Sequence, residues 1–467
     1  VGIATVSACL SVPAVEETDG STSNTAGSSS TDPSATSSNT VSTGTGSTTS
    51  SGSTSGGSTG GPVQLEFTDD EFEGEFGEGT YESTIYATDA VELDAGQGTG
   101  TFTSRVFDAG GEVRWTTLSW RPAAPYDKPL LYEGADDTGY PDNNLLASSE
   151  QILLYPFDGG PFAPNDLVQD RSGRGNDGTV IGNLAVFSSE GKFGDAAEFT
   201  DENYVSIPID AESDFQFLTS DFTWSMWINT VNSCAGDMVS ANQVYMGAED
   251  TGADASHMWF GCSRPQSSIC PEGDLTGGRA GGTFNTDQSA GEQTGLCGST
   301  NIVDGQWHHL VVVKRDHSPA TFQLYVDGQV EVERTPTLVG PYTFVDGHDF
   351  TFGAFSQGTF QAQTTLDEVA IWKRSLAPEE VLDLYRRGAF SLSVAVRACM
   401  EPDCSDDPPF GDGVTETPDV ADAGTPVDLE NAVTGRYVQY RVAFEGVPAL
   451  PGGHTPRLLA VTVRGEG

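Results

Sequence analysis

Residues 170–178, Asp-Arg-Ser-Gly-Arg-Gly-Asn-Asp-Gly, put three oxygen donors into nine positions: Asp170, Asn176 and Asp177. Calcium takes carboxylate and carbonyl oxygens from loops, so this stretch is a candidate metal loop. The competing reading is a tight turn whose Asp and Asn side chains bond to their own backbone. His308 and His309 are the adjacent pair among six histidines. A strand sends them to opposite faces, so they cannot chelate one ion together and read as packing and hydrogen-bonding residues. Asp367 and Glu368 are adjacent and diverge for the same reason. No strand segment carries an E-x-D-x-E array, no strand-to-helix G-x-S-x-G elbow is present, and H-E-x-x-H is absent. Catalytic carboxylates or a hydrolase triad are therefore not signalled.

Apart from Cys9, the cysteines are Cys234, Cys262, Cys270, Cys297, Cys399 and Cys404. An even number in an exported chain reads as three disulfides. Cys399 and Cys404 flank a short Pro-containing loop and are expected to pair. The other four allow three pairings, of which Cys234–Cys262 with Cys270–Cys297 is favoured. Residues 263–299 form a long Gly-rich excursion. Loops of such length are functional or unstructured. Beside Trp259 and Phe260 this one offers a ligand rim, against the alternative of decoration without a ligand.

The elements that must position these residues are nearly all β. Thr101–Gly110 and Trp115–Trp120 are short β-rich runs, and two strands do not make a domain. Matching period-2 runs stand at the far end of the chain. Leu392, Val394 and Val396 form one face, Val438, Tyr440, Val442 and Phe444 a second, and Leu459, Val461 and Val463 a third. Together Ser104–Gly110, Trp115–Trp120, Val394–Arg397, Arg436–Arg441 and Thr455–Leu458 resemble a β-sandwich module of bacterial surface proteins. Arg436 and Arg441 read as structural, pairing with carboxylates. About 270 residues separate the second and third elements, which implies a domain inserted into a loop.

Within that insertion, Ile152–Asp158, Asp170–Gly178, Gly194–Phe199 and Tyr204–Pro208 are followed by Phe222–Ile228, Trp307–Lys314, Leu324–Gly328 and Leu366–Trp372. The order and spacing of these motifs resemble the laminin G-like, concanavalin A-like jelly roll. The resemblance implies two stacked antiparallel sheets, with the first and last strands as neighbours. It also places the 170–178 loop near Asp367, so the candidate calcium ligands are Asp170, Asn176, Asp177 and Asp367. The residues support the fold independently. Phe222, Trp224, Met226 and Ile228 alternate, Leu310–Val313 is a run covered on both faces, and Asp327-Gly328 signals a hairpin. One helix is expected over Leu376–Tyr385, with Pro378 at its first position, Gly388 past its end and a poor cap at Ala377.

The fold class is thus all-β: a concanavalin A-like jelly roll inserted into a second, discontinuous β-sandwich behind an N-terminal tether. The expected boundaries are 1–10 for a lipoprotein signal remnant and 11–62 for a disordered Ser/Thr/Gly tether. Residues 63–132 begin the interrupted sandwich, 133–389 form the jelly roll with its core at 150–389, and 390–467 complete the sandwich. Val6-Ser-Ala-Cys9 resembles a bacterial lipobox, with Cys9 the lipidated residue and Leu10 directing it to the outer membrane. Most of the preceding apolar segment would then lie before Val1.

The chain carries 68 acids against 21 bases, a formal net charge of −47. Residues 105–467 alone hold 53 acids and 21 bases, so the folded domains carry most of the acidity. Phosphate neutralisation needs clustered Lys and Arg, which excludes nucleic acid as the natural partner. No run of about 18 apolar residues exists, so membrane association is expected only through the N-terminal lipid. The expected function is non-catalytic binding of extracellular glycan or protein by a surface lipoprotein, a monomer, with calcium as the conceivable cofactor. A structural or adhesive spacer and a carbohydrate-active enzyme on the same fold are the alternatives.

Overall fold

A computed structural model describes residues 64–467 apart from 71–75, 136, 138, 146–149, 188–190, 235–241, 250–255, 264–269, 271–277, 286–293, 317–318, 337–339, 345–347, 356–357, 407–408, 411–423, 425, 449 and 451. The tether and Cys9 lie outside the described residues.

The two ends of this region build one sheet system. Its order runs Thr80–Glu82, Thr99–Thr103, Val427–Glu445, Phe107–Pro122, Arg457–Glu466, Ala90–Leu93 and Thr84–Ala87. Gln64–Asp69 adds to Arg457–Glu466, and Ser391–Cys399 adds to Val427–Glu445. Strands from before residue 123 thus pair with strands from after residue 390. The alternating residues meet in one core: Trp115, Leu118 and Phe102 pack with Leu392, Val394, Val396, Val438, Tyr440, Val442, Phe444, Val461 and Val463. Leu459 departs from the expected face. A register shift between Leu458 and Ala460 reverses the alternation there, so Leu458 enters this core. Leu459 packs instead with Ala90 and Ala123.

Between these halves lies the jelly roll, two eight-stranded antiparallel sheets. The first runs Ala185–Phe187, Ala196–Phe199, Thr364–Trp372, Phe222–Asn229, Trp307–Arg315, Thr321–Val326 and Gln329–Arg334, with Gln151–Tyr155 on Thr364–Trp372. The second runs from Gly295–Asn301 through Arg279–Asn285, His257–Ser263, Gln243–Glu249, His348–Phe352, Tyr204–Ile209 and Gly178–Ile181 to Leu167–Val168. The pairings Gln151↔Trp372 and Leu153↔Ile371 bring the guest's first and last strands together. Trp224, Met226, Ile228, Leu310 and Val312 fill the space between the sheets. Val311 and Val313 face the other way, into a second apolar layer. Asp327 and Gly328 both have positive φ, 51° and 72°, as a two-residue hairpin of this hand requires.

Helix α1, Pro378–Ala389, covers that outer face of the first sheet. Val381 and Leu384 pack there on Val311, Val313, Ala370 and Trp372, each burial stabilising by roughly 1.5–3 kcal/mol. Ala377 offers no side-chain cap, while Glu380 accepts a hydrogen bond from the Ala377 N–H at 2.8 Å. The helix runs past Gly388 rather than stopping before it. A Cβ there would stand 2.4 Å from Trp227 Cζ2, so the glycine serves close approach inside the last turn.

Candidate functional site

The segment 123–145 leaves the interrupted sandwich and runs beneath α1. Arg387 of the helix holds it: Nη1 pairs with Asp137 at 2.6 Å, and Nε and Nη2 donate to the carbonyls of Lys128 and Pro129. Asp383 accepts from the Asn144 N–H at 2.6 Å, and Arg386 reaches His454 of the sandwich at 3.3 Å. Arg457 of the sandwich pairs with Asp142. The apolar side follows the polar one. Trp227, Tyr385, Phe193 and Trp307 of the insertion belong to the same cluster as the sandwich core. Host and guest therefore meet through continuous packing.

At this junction lies a cleft of about 360 Å³. Trp307 is half-buried on one wall, while Trp227 and Tyr385 are buried at its base, their rings stacked 5.9 Å apart. Asp127 and Glu445 present exposed carboxylates to it. Lys192 sits over the Trp227 ring at 4.9 Å. Desolvation in the cleft lowers the Lys192 pKa against the pull of Asp127, Asp367, Asp327 and Glu445. Desolvation likewise raises Asp127, with Lys192 opposing and Glu445 adding. Aromatic faces beside carboxylate acceptors and an ammonium donor can stack a ligand ring and bond its hydroxyls.

The residues expected to bind calcium are used otherwise. Asp170 Oδ1 accepts from the N–H of Leu154 and Ser172 at 3.0 and 2.9 Å. Its Oδ2 accepts from Ser172 Oγ and the Asn176 N–H at 2.8 and 3.0 Å. Asp177 accepts from the Asp170 N–H, and the Asn176 amide donates to the Ile152 carbonyl. The loop is a self-bonded turn clipped to the first guest strand. Asp367 does not join it: its oxygens accept from the N–H of Phe193 at 2.9 Å and of Glu368 at 2.7 Å. Among the described residues, no three of Asp, Glu, His and Cys converge on a metal position.

Trp259 and Phe260 are likewise no rim. Phe260 is buried between the sheets, and Trp259, 6% exposed, is capped by Phe355 and Phe360 with Val244. Adjacent strand positions face opposite layers, and both layers here are covered. Disulfides link Cys234–Cys262, Cys270–Cys297 and Cys399–Cys404, the mark of an oxidising, extracytoplasmic setting. No described helix is long and apolar enough to cross a membrane. Arg436 pairs with Asp108 at 2.7 Å, whereas Arg441 and Arg397 both lie over Phe410 at 4.5 Å.

His308 and His309 diverge. His308 bonds Asp327 at 2.8 Å and Asp304 at 3.2 Å. Burial pulls its pKa down, but the bonds and charges of these carboxylates outweigh it and leave the pKa raised. His309, fully buried, is depressed to about 3 by desolvation and stays neutral. Its Nε2 meets Ser225 Oγ at 2.9 Å, and Glu368 lines the same small cavity. Sequence reasoning missed this grouping, because residues 225, 309 and 368 come from three strands with no local motif. It also missed the cleft, whose charged and aromatic lining comes from six separate segments, at Asp127, Lys192, Trp227, Trp307, Tyr385–Ser391 and Glu445.

Part of the inserted domain matches a known family. Residues 199–382 match the concanavalin A-like lectin/glucanases superfamily. No curated protein matches the chain. Among solved structures, domain 4 of an extracellular arabinanase from Geobacillus stearothermophilus is 19% identical, with 51% of this chain and 98% of that chain covered and a TM-score of 0.35. The binding domain of Paraclostridial Mosquitocidal Protein 1 is 13% identical, with 54% and 61% covered and a TM-score of 0.35. The binding domain of botulinum neurotoxin DC is 14% identical, with 54% of each chain covered and a TM-score of 0.35. The inserted jelly roll supplies Lys192, Trp227 and Trp307 to the cleft, helix α1 supplies Tyr385, and the interrupted sandwich supplies Glu445.

Proposed function

We propose that this chain is a non-catalytic binding protein for an extracellular glycan, held at the cell surface by a lipidated Cys9 and the tether. The observation that carries the reading is the 360 Å³ cleft in which Trp307 stands beside Asp127, Glu445 and Lys192. Trp307 supplies a stacking face, the two carboxylates accept hydrogen bonds from sugar hydroxyls, and Lys192 donates them. The net charge of −47 disfavours uronates, sialosides and sulfated glycans, which must approach against the protein's own field. Neutral oligosaccharides are the expected class.

A glycan array probed with the full chain tests this. Binding to neutral structures, lost on Trp307→Ala, is the expected result. Silence across the array contradicts it, and binding undiminished in Trp307→Ala places the site elsewhere. One observation favours a second reading. Asp127, with its raised pKa, and Glu445 line the same cleft, and glycoside hydrolysis uses one protonated and one ionised carboxyl. Incubating array hits with the chain separates the two: glycan recovered intact supports binding alone, and cleaved glycan supports hydrolysis.

A further inference from the structure

A second, much smaller cavity lies beneath the segment 123–145, on the outer face of the first sheet. Its volume is about 10 Å³, room for one water molecule. Two side chains that line it each present a buried polar atom without a protein partner, His309 Nδ1 and Glu368 Oε1. The residues are 1% and 3% exposed. Their other polar atoms are taken. His309 Nε2 meets Ser225 Oγ at 2.9 Å, and Glu368 Oε2 accepts from the Leu130 N–H at 2.6 Å.

The tautomer follows from satisfying Ser225. Its hydroxyl proton has an acceptor in His309 Nε2, which leaves the imidazole hydrogen on Nδ1. Nδ1 is then a donor lacking an acceptor, and Oε1 of ionised Glu368 an acceptor lacking a donor, and both residues line one cavity. Buried polar atoms of this kind are matched by ordered water when the space is polar and large enough. We infer that one water molecule occupies this cavity, accepting from His309 Nδ1–H and donating to Glu368 Oε1. The result is a continuous chain Ser225–His309–water–Glu368–Leu130.

The order hydroxyl, imidazole, carboxylate is that of a hydrolytic triad. Ser225 is 1% exposed beneath α1 and the covering segment, so no substrate reaches it. The chain instead ties three strands of the concanavalin A-like domain to the segment that leads out of the host sandwich. Arg387 lines the same cavity and holds that segment from the helix side.

The test uses nuclear magnetic resonance on the full chain with ¹⁵N-labelled histidine. The expected result is the Nδ1–H tautomer of His309, with a cross-peak from that proton to a long-lived water. The Nε2–H tautomer, or no water cross-peak, overturns the proposal. Water relaxation dispersion supplies a second reading: Glu368→Met, which fills the cavity, should remove one long-lived water relative to the unaltered chain, and an unchanged dispersion contradicts the site. The first measurement needs no variant, so a Glu368→Met chain that fails to fold leaves the proposal open to refutation.

Discussion

Replacing Glu368 by glutamine removes a charge that the fold holds at a cost while keeping the shape of the side chain. Glu368 is buried, and desolvation raises its pKa to about 7, against the opposing Leu130 N–H and Arg387 and with Asp158 adding. Its neighbour Asp367 is also raised, by desolvation and then by the Glu368 charge. The sign follows from proton counting. Between the unfolded value of 4.5 and the folded value of about 7, the native state binds the proton more than the unfolded state does. The stability contributed by Glu368 is therefore full below the unfolded value and is lost as pH rises through that window. The shift corresponds to roughly 3–4 kcal/mol at most, since one unit is about 1.4 kcal/mol. Asp367 absorbs part of it, because two adjacent buried carboxyls do not ionise independently. Urea denaturation of Glu368→Gln and the unaltered chain at pH values below and above the window reads this directly. The variant should match the parent on the acid side and exceed it on the alkaline side by on the order of 1–3 kcal/mol. A variant weaker than the parent at high pH would mean that Arg387 stabilises the carboxylate more than burial penalises it, and the reasoning would fail.

Other outcomes follow from the same contacts. Arg387→Met leaves Asp137 buried without its partner and should lower stability by about 3–5 kcal/mol in denaturant, whereas a loss below 1 kcal/mol would show the pair to be dispensable. Ala377→Ser adds the missing cap at the start of α1 and should raise stability by roughly 0.5–2 kcal/mol, read as a shifted urea midpoint at constant slope. Because the oxygens of Asp170 are consumed by its own loop, a chelator should leave the thermal midpoint of the chain unchanged. A fall on chelation that calcium restores would show an ion bound outside the carboxylate arrangement seen here.

Much of the fold was legible because its determinants are local and periodic. Trp224, Met226 and Ile228 alternate and do face the core, Asp327-Gly328 makes its hairpin, and the continuous run Leu310–Val313 is covered on both sides. Periodicity failed where the register breaks. Leu459 turned to the opposite face, onto Ala90 and Ala123, because a bulge intervenes, and Gly388 lies inside the helix against the Trp227 ring, far away in sequence. The site was less legible for a related reason. Composition cannot tell whether a loop carboxylate faces an ion or its own backbone, and Asp170 faces its backbone. Trp259 has the chemistry of a binding residue but is capped by Phe355 and Phe360 from a distant loop. The cleft exists only once the insertion docks on its host, so Asp127, Lys192, Trp307 and Glu445 carry no common motif.

Calorimetric titration of an array-selected oligosaccharide into the full chain reads whether the junction cleft binds a neutral glycan. Trp307→Ala, at a half-buried wall position, should weaken binding at least tenfold, about 1.4 kcal/mol, in a chain that remains folded at the titration temperature. Affinity unaltered in a folded Trp307→Ala chain would contradict the account.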